Sequence, residues 1–364
     1  MNDASGLAGL TPCPGAVFHF HPEVLQATAA RFIAGFPGLV TYAVKANPVP
    51  QVLTGLAEAG VTAFDVASPA EAWLVRAEVP GAVLHYNNPV RGRAEIAAAE
   101  ALGIASWSVD RPGELAKLAH LPKDSEIAVR LKLPAKGAAY DFGAKFGATP
   151  EQAQALLAEV ARLGFRPAMT FHPGTQCTDP NTWRHYIRAC ADIARNAGVT
   201  LERLNVGGGF PAHRQGDAPV LEAIFDAIGA ETRSAFDTPP ALVCEPGRAM
   251  VADCCTLELH IRARHGDQVF LDDGLYGALA EWRDLPGHAR LRVSDAQGHP
   301  RTAPATPFTV FGPTCDSLDT LPFALPLPAD LAEGDTLTVS GMGAYSHALA
   351  TGFNGYGPRG LDRR

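Results

Sequence analysis

The sequence predicts an α/β fold, a (β/α)8 barrel followed by a β domain, on three observations. Short apolar runs alternate with amphipathic stretches from about residue 20 to residue 255, and eight such runs occur. After about residue 255 the helical stripes fade, and short strand-like runs follow one another between Gly, Pro and Asp. The length, 364 residues, suits two domains or one large barrel plus an addition, at roughly 100–200 residues per domain. A doubly wound sheet is the alternative for the first part.

In chain order the barrel strands are expected at Leu39–Val44, Ala63–Val66, Val83–Tyr86, Ala105–Ser108, Ile127–Leu131, Ala168–His172, Arg203–Val206 and Leu242–Cys244. Helix-like segments between them include Pro48–Ala59, Arg91–Leu102, Pro150–Leu163, Asn181–Ala197 and Val220–Ser234. In the first of these, Val49, Leu53 and Leu56 fall at helical spacing and give one buried stripe. Beyond the barrel, Thr256–Ala263, Gln268–Leu271, Ala289–Val293, Phe308–Phe311 and Thr336–Ser340 read as strands. The Pro-rich stretch Leu321–Pro328 reads as a surface connection.

Composition narrows the function classes. Apolar residues make up 47% and charged residues 19%, as in a globular enzyme and too apolar for disorder. Thirty Lys and Arg against 38 Asp and Glu give a net charge of −8 with no basic stripe, which argues against a nucleic-acid partner. The N-terminus shows no signal peptide, and no apolar run reaches the ~18–20 residues a membrane span needs. Seven scattered cysteines, two of them adjacent at Cys254-Cys255, give neither a zinc spacing nor a disulfide framework. The expectation is a cytoplasmic protein with reduced thiols and no membrane or metal partner.

A barrel holds its site at the C-terminal ends of its strands. Four elements stand there. Lys45 closes the first strand, where a lysine is buried, paired or covalently used; desolvation lowers its amine pKa and makes it a better nucleophile. Gly207-Gly208-Gly209 follow the seventh strand and can turn backbone N–H groups on an anion. Glu245 and Arg248 end the eighth strand, a carboxylate for a heteroaromatic nitrogen and a fork for a phosphate. His172 ends the sixth and can stack on an aromatic ring. Alone, each has an ordinary reading as a solvated lysine, a turn, an ion pair or a core histidine. Together they supply what pyridoxal 5'-phosphate (PLP) requires: an amine, a phosphate seat, a partner for the ring nitrogen and a stacking ring. A carboxylate at that nitrogen keeps it protonated, which favours loss of CO2 from Cα.

With these elements the chain resembles the fold-type III PLP enzymes, and within them the ornithine decarboxylase family. The resemblance runs from about residue 15 to 357. It rests on Tyr-Ala-Val-Lys-Ala-Asn (42–47), Phe-Asp-Val-Ala-Ser (64–68), Lys-Phe-Gly (145–147), Gly-Gly-Gly-Phe-Pro (207–211), Glu-Pro-Gly-Arg (245–248), Asp-Gly-Leu-Tyr-Gly (273–277), Gly-Pro-Thr-Cys-Asp-Ser-Leu-Asp (312–319), Gly-Ala-Tyr (343–345) and Phe-Asn-Gly-Tyr (353–356). The order and spacing of these motifs are more specific than any one of them.

The resemblance implies a PLP-binding barrel over residues 20–255 and a β-sandwich or β-barrel domain made from residues 1–19 and 256–364. It implies that Lys45 tethers the cofactor, that Asp65, Glu71 and Arg130 support the lysine and pyridine side, and that His172 covers the ring. Thr175, Gly207, Gly208, Gly209, Arg248 and Tyr345 would lie at the phosphate, and Glu245 would pair with the ring nitrogen. It also implies a homodimer with shared active sites. A second subunit would bring Cys315, which reprotonates Cα, and Asp316, which grips the distal ammonium of the substrate. Lys145 and Asp319 would pair across the dimer, and Tyr276 and Phe353 would line the substrate side.

Several chemistries share this fold type. Racemase-like members place an arginine at the pyridine nitrogen, which Glu245 opposes. Diaminopimelate decarboxylases resemble Cys-Glu-Ser where this chain has Cys315-Asp316-Ser317, and carboxynorspermidine decarboxylases depart further. Decarboxylation of L-ornithine to putrescine, in polyamine biosynthesis, therefore leads, with L-lysine to cadaverine second. The alternatives are a related amino acid, including diaminopimelate, carboxynorspermidine or a specialised-pathway substrate, and a PLP-binding protein without turnover. Residues 278–287 correspond to the family's specificity segment and depart from its ornithine pattern. Asp284 stands there for the second ammonium-binding aspartate. Glu281 and Arg283 would admit another distal group, even a carboxylate, and Trp282 is either core or a narrowing of the pocket.

Overall fold

The computed structural model describes residues 15–133, 145–284, 290–357 and 361–363. Cys13, Ala289 of the expected strand Ala289–Val293, and residues 285–287 of the specificity segment lie outside the described residues. The chain divides into two compact units: His21–Cys254 with Gly343–Ala348, and the chain up to Phe20 with Cys255–Met342 and the chain from Leu349 on. Strand β1 (Val17–Phe20) belongs to the second.

The first unit opens with helix α1 (Pro22–Gly35) and continues as β2 (Leu39–Ala43), α2 (Pro50–Glu58), β3 (Ala63–Val66), α3 (Pro69–Glu78), β4 (Val83–Tyr86), α4 (Arg93–Ala101), β5 (Ile104–Val109) and α5 (Pro112–Lys117). It goes on through β6 (Glu126–Leu131), α6 (Pro150–Arg162), β7 (Arg166–Phe171), α7 (Pro180–Ala197), β8 (Arg203–Asn205), α8 (Leu221–Ala235), β9 (Ala241–Cys244) and the short α9 (Arg248–Val251). Strands β2 to β9 form a closed parallel barrel, with β2 completing the circle against β9. Closure settles the choice between a barrel and an open doubly wound sheet. Local chemistry starts the helices where the strands need them. Six of them carry proline in the first turn, where its missing N–H costs nothing. Thr149 and Gln152 form a capping box on α6, and Gly198 ends α7 in the left-handed conformation. In α2 the buried stripe is Val52, Leu53 and Leu56, with Val49 buried just before it. The first strand was expected to run to Val44, with Lys45 closing it. The strand ends instead at Ala43, and Lys45 sits in a 3-10 turn, Val44–Ala46.

The second unit is one mixed eight-stranded sheet of β1, β10 (Cys255–His265), β11 (Gln268–Leu271), β12 (Leu291–Ser294), β13 (Ala305–Phe311), β14 (Leu325–Pro328), β15 (Thr336–Ser340) and β16 (Leu361–Arg363). Most of it runs in the order β12-β15-β10-β11-β13-β14, and β1 pairs with β10 and β16. The Pro-rich connection partly becomes a strand: Leu325–Pro328 pairs antiparallel with β13 at the end of that order. Its leucines alternate inward and are buried, while its prolines sit where an edge strand has no ladder bond to lose. No helix among the described residues is long and apolar enough to cross a membrane.

Candidate active site

At the C-terminal mouth of the barrel a cavity of about 210 Å³ is lined by Lys45, Asp65, Asn87, Arg130, Phe146, His172 and Glu245, among others. The strand ends place them: Lys45 follows β2, Asp65 lies on β3, Asn87 follows β4, Arg130 is on β6, His172 follows β7 and Glu245 follows β9. Lys45 is accessible from the cavity although protein surrounds it. Its turn is tied down from both sides. Tyr42 donates its hydroxyl to the Asn47 carbonyl at 3.0 Å, and the Tyr345 N–H donates to the Ala46 carbonyl at 2.7 Å. Asn47 in turn donates its side-chain amide to the Gly343 carbonyl at 2.8 Å, so the returning segment Gly343–Ala348 is fixed to the lysine turn.

Charge at the mouth is concentrated. Burial pulls the Lys45 amine down, but the carboxylates of Asp65 and Glu245 and the Tyr345 hydroxyl outweigh it and hold the pKa above the ordinary lysine value. This reverses the lowering expected from desolvation alone. Asp65 is pushed well above the usual carboxylate range, first by burial and then by the facing charge of Glu245. Burial also raises Glu245, against the pull of Lys45, Asn205, Arg130 and Asn87. Arg130, packed on the Phe146 ring at 5.4 Å, is lowered by burial. His172 is driven well below its ordinary value by burial and by the positive charge of Lys45 and Arg130, so its imidazole is neutral. Glu71 is turned to the backbone: its Oε2 accepts the Ala67 N–H at 2.7 Å, and its own N–H caps on Ser68.

Two asparagines that were absent from the sequence reading organise Glu245. Asn87 and Asn205 both donate side-chain N–H to Glu245 Oε1. The Asn205 Oδ1 accepts the Gly207 N–H at 2.9 Å, so one side chain joins the carboxylate to the glycine loop. Their signal was present in the sequence as polar residues at strand ends, the positions that carry chemistry in a barrel.

The glycine loop requires glycine. A Cβ on Gly207 would stand 2.1 Å from the Phe171 carbonyl oxygen, and one on Gly209 2.1 Å from that of Gly174. Both residues also have positive φ. Gly208 lies beside His172. Arg248 packs on the Tyr345 ring at 4.8 Å, and Tyr345 holds a positive φ of 64°. Thr175 stands on the loop after β7, half-buried.

These residues fit PLP. The Asp65 Oδ1 is buried without a hydrogen-bond partner among the described residues, in a cavity that also holds an amine and a second carboxylate. Such an orphan is the mark of a group that completes the site. The donor set matches the ligand: amine for aldehyde, carboxylate for ring nitrogen, neutral imidazole for the ring, and arginine with glycine N–H groups for phosphate.

The remaining expected residues, Lys145 apart, lie in the β unit, and most of them form a second cluster. Tyr276 donates its hydroxyl to Asp316 Oδ2 at 2.6 Å and packs on Phe353 with the rings tilted and 4.9 Å apart. The Tyr276 bond and the Leu318 N–H at 2.9 Å hold Asp316 below the ordinary carboxylate range, so it stays anionic. Cys315 is exposed, and its thiol and N–H both donate to Asn354 Oδ1, at 3.4 and 3.2 Å. Asp319 is buried and accepts the Leu275 N–H, the Thr314 N–H and the Thr314 hydroxyl, so it builds the loop that carries Cys315. Its expected partner Lys145 is exposed in the barrel unit, over the Phe146 ring. Asp284 is exposed at the end of the turn Ala280–Arg283. Trp282 of that turn is buried, which answers its open reading as core.

The pyridoxal binding domain of the pyridoxal-dependent decarboxylases matches residues 24–252 of the chain. The chain is 32% identical over 349 residues to the ornithine decarboxylase of Panagrellus redivivus, covering 86% of this chain and 77% of that one. It is also 32% identical to the lysine/ornithine decarboxylase of Selenomonas ruminantium, covering 87% and 81%. In fold it is similar to the lysine/ornithine decarboxylase of Vibrio vulnificus crystallised with cadaverine, at a TM-score of 0.82, 26% identity and coverage of 99% and 97%.

Proposed function

This chain belongs to the pyridoxal-dependent decarboxylase family, and from that membership we propose that it decarboxylates a basic amino acid, L-ornithine to putrescine first and L-lysine to cadaverine second. The observation that supports this reading best is the convergence of Lys45, His172 and Glu245 on one cavity.

Bound PLP supplies an aldehyde for the substrate amine and a ring that takes up the electron pair left at Cα as CO2 departs. Lys45 would tether the cofactor through its amine. Glu245, fixed by Asn87 and Asn205, keeps the proton on the ring nitrogen. His172, held neutral, would cover the ring without adding positive charge to that face. Asp65 and Glu245 offset the positive charge of Lys45, and Arg130 opposes them. Arg248, Tyr345, Thr175 and the N–H groups of Gly207–Gly209 hold the phosphate. In a homodimer a second copy brings Cys315 and Asp316. The Cys315 thiol returns a proton to Cα, and the anionic Asp316 takes the distal ammonium beside Tyr276 and Phe353.

Lys45→Ala is expected to abolish both turnover and the visible absorbance of the bound cofactor; retained turnover would refute the assignment. A substrate panel read by CO2 release tests the amino acid. Arg283, whose charge acts on the Tyr276 phenol, favours a second reading in which the distal group carries a carboxylate. A preference for a dicarboxylic diamino acid over ornithine and lysine would establish that reading in place of the first.

A further inference from the structure

The loop after β7 and the loop after β8 meet, and their junction holds a residue with an unusual backbone. Gln176 adopts φ 52°, in the left-handed region that favours glycine. Its side-chain amide closes a two-bond ring on Ala212: the Ala212 N–H donates to Gln176 Oε1 at 2.8 Å, and Gln176 Nε2 donates to the Ala212 carbonyl at 3.2 Å. The amide therefore acts as one rung of a strand would, joining two loops that are not strands. A second bond runs parallel to it, from the Cys177 N–H to the Gly209 carbonyl at 2.9 Å. The backbones are also in close approach there, since a Cβ on Gly209 would meet the Gly174 carbonyl oxygen.

We propose that Gln176 is a positioning residue that latches the loop after β7 to the glycine loop through Ala212, and so preassembles the seat for the cofactor phosphate. The inference rests on the reading of Gly207–Gly209 as that seat. A glutamine in a left-handed backbone is disfavoured unless its side chain is used. Here both polar ends of the amide are used, on Ala212, three residues past Gly209. The latch touches neither the lysine nor the ring-nitrogen carboxylate, so its influence falls on the phosphate end of the ligand alone.

Wild-type and Q176G chains, freed of cofactor, are titrated with PLP and with pyridoxal, which lacks the phosphate, by following the absorbance of the bound ligand. Glycine suits the backbone conformation, so Q176G removes the latch without adding strain and is expected to fold. The expected result is an affinity for PLP about tenfold weaker, the worth of roughly one net hydrogen bond, with the affinity for pyridoxal unchanged. Equal weakening for both ligands, or an unchanged PLP affinity, overturns the latch. If the wild-type chain binds neither ligand, the cofactor reading itself falls, and the latch with it.

Discussion

Replacing Glu245 with glutamine separates the chemical work of this residue from its cost to the fold. The Glu245 Oε1 already receives two amide donors, from Asn87 and Asn205, and the carbonyl of a glutamine receives them equally well. What the variant loses is the negative charge toward the ring nitrogen. A charge-assisted hydrogen bond is worth about 1.5–3 kcal/mol, and each 1.36 kcal/mol is tenfold in rate, so kcat at saturating PLP is expected to fall roughly 10- to 150-fold. Stability moves the other way. Burial raises the pKa of both Glu245 and Asp65, and Glu245 raises Asp65 further. For a carboxyl raised in this way, the folded state holds the proton longer than the unfolded state. The stability this adds is complete below the unfolded value near 4 and is lost as pH rises through the folded value. E245Q has no such proton to lose and relieves Asp65, so without cofactor it should gain on the wild type as pH rises from about 4 to 8. Turnover by CO2 release and urea unfolding at several pH values read the two arms. A variant with wild-type kcat, or one that loses stability relative to wild type at pH 8, refutes the reasoning.

Other substitutions test other parts of the molecule. Asp316→Ala should lower kcat/KM for ornithine and lysine about ten- to a hundredfold and leave neutral amino acids untouched; equal losses across a substrate panel would show that Asp316 does not read the distal ammonium. His172→Asn should flatten the acid side of the stability profile. A histidine depressed by burial makes the folded state lose stability as pH falls through the unfolded value near 6.5, by up to about 1.4 kcal/mol per pH unit, and an unchanged slope in unfolding titrations would show that His172 is not held neutral. Arg91 is buried against the rings of Tyr86 and Trp107 and donates to the carbonyls of Tyr86 and Ser108. Arg91→Met would remove both of these charge-assisted bonds and should cost about 3 kcal/mol in denaturant unfolding; a loss under about 1 kcal/mol would mean that the rings and not the fork hold this corner.

The parts of the site that were legible in the sequence are those that depend on residue type at a strand end. Lys45, His172, Gly207–Gly209, Glu245 and Arg248 each follow an apolar run, and an apolar run that stops at a polar residue marks a barrel rim whichever residues later surround it. The strands were legible for the same reason, because a sheet covered on both faces writes itself as unbroken apolar runs. Leu325–Pro328 was misread because proline normally rules out a strand, whereas at the end of a sheet order it removes no bond. The direction of the Lys45 pKa was misread because desolvation is a property of one residue, while Asp65 and Glu245 reach it only through the closed barrel.

What sequence spacing does not reveal is how the site is braced. Asn205 joins the ring-nitrogen carboxylate to Gly207, Asn47 joins the lysine turn to Gly343, and Gln176 joins the loop after β7 to Ala212. Each brace is a side-chain amide, and each connects segments that are far apart in the chain or belong to different loops. An amide suits this work because it offers a donor and an acceptor without a charge that would add to the crowded field around Lys45, Asp65 and Glu245. A carboxylate at position 205 would still reach Glu245 in space, but as a third negative group beside two whose pKa values burial has already raised. Asn205→Asp should therefore weaken cofactor binding more than Asn205→Ala, although aspartate is closer in shape. Titration of the two variants with PLP decides it, and an Asp variant that binds as tightly as the Ala variant would show that shape and not charge governs the brace.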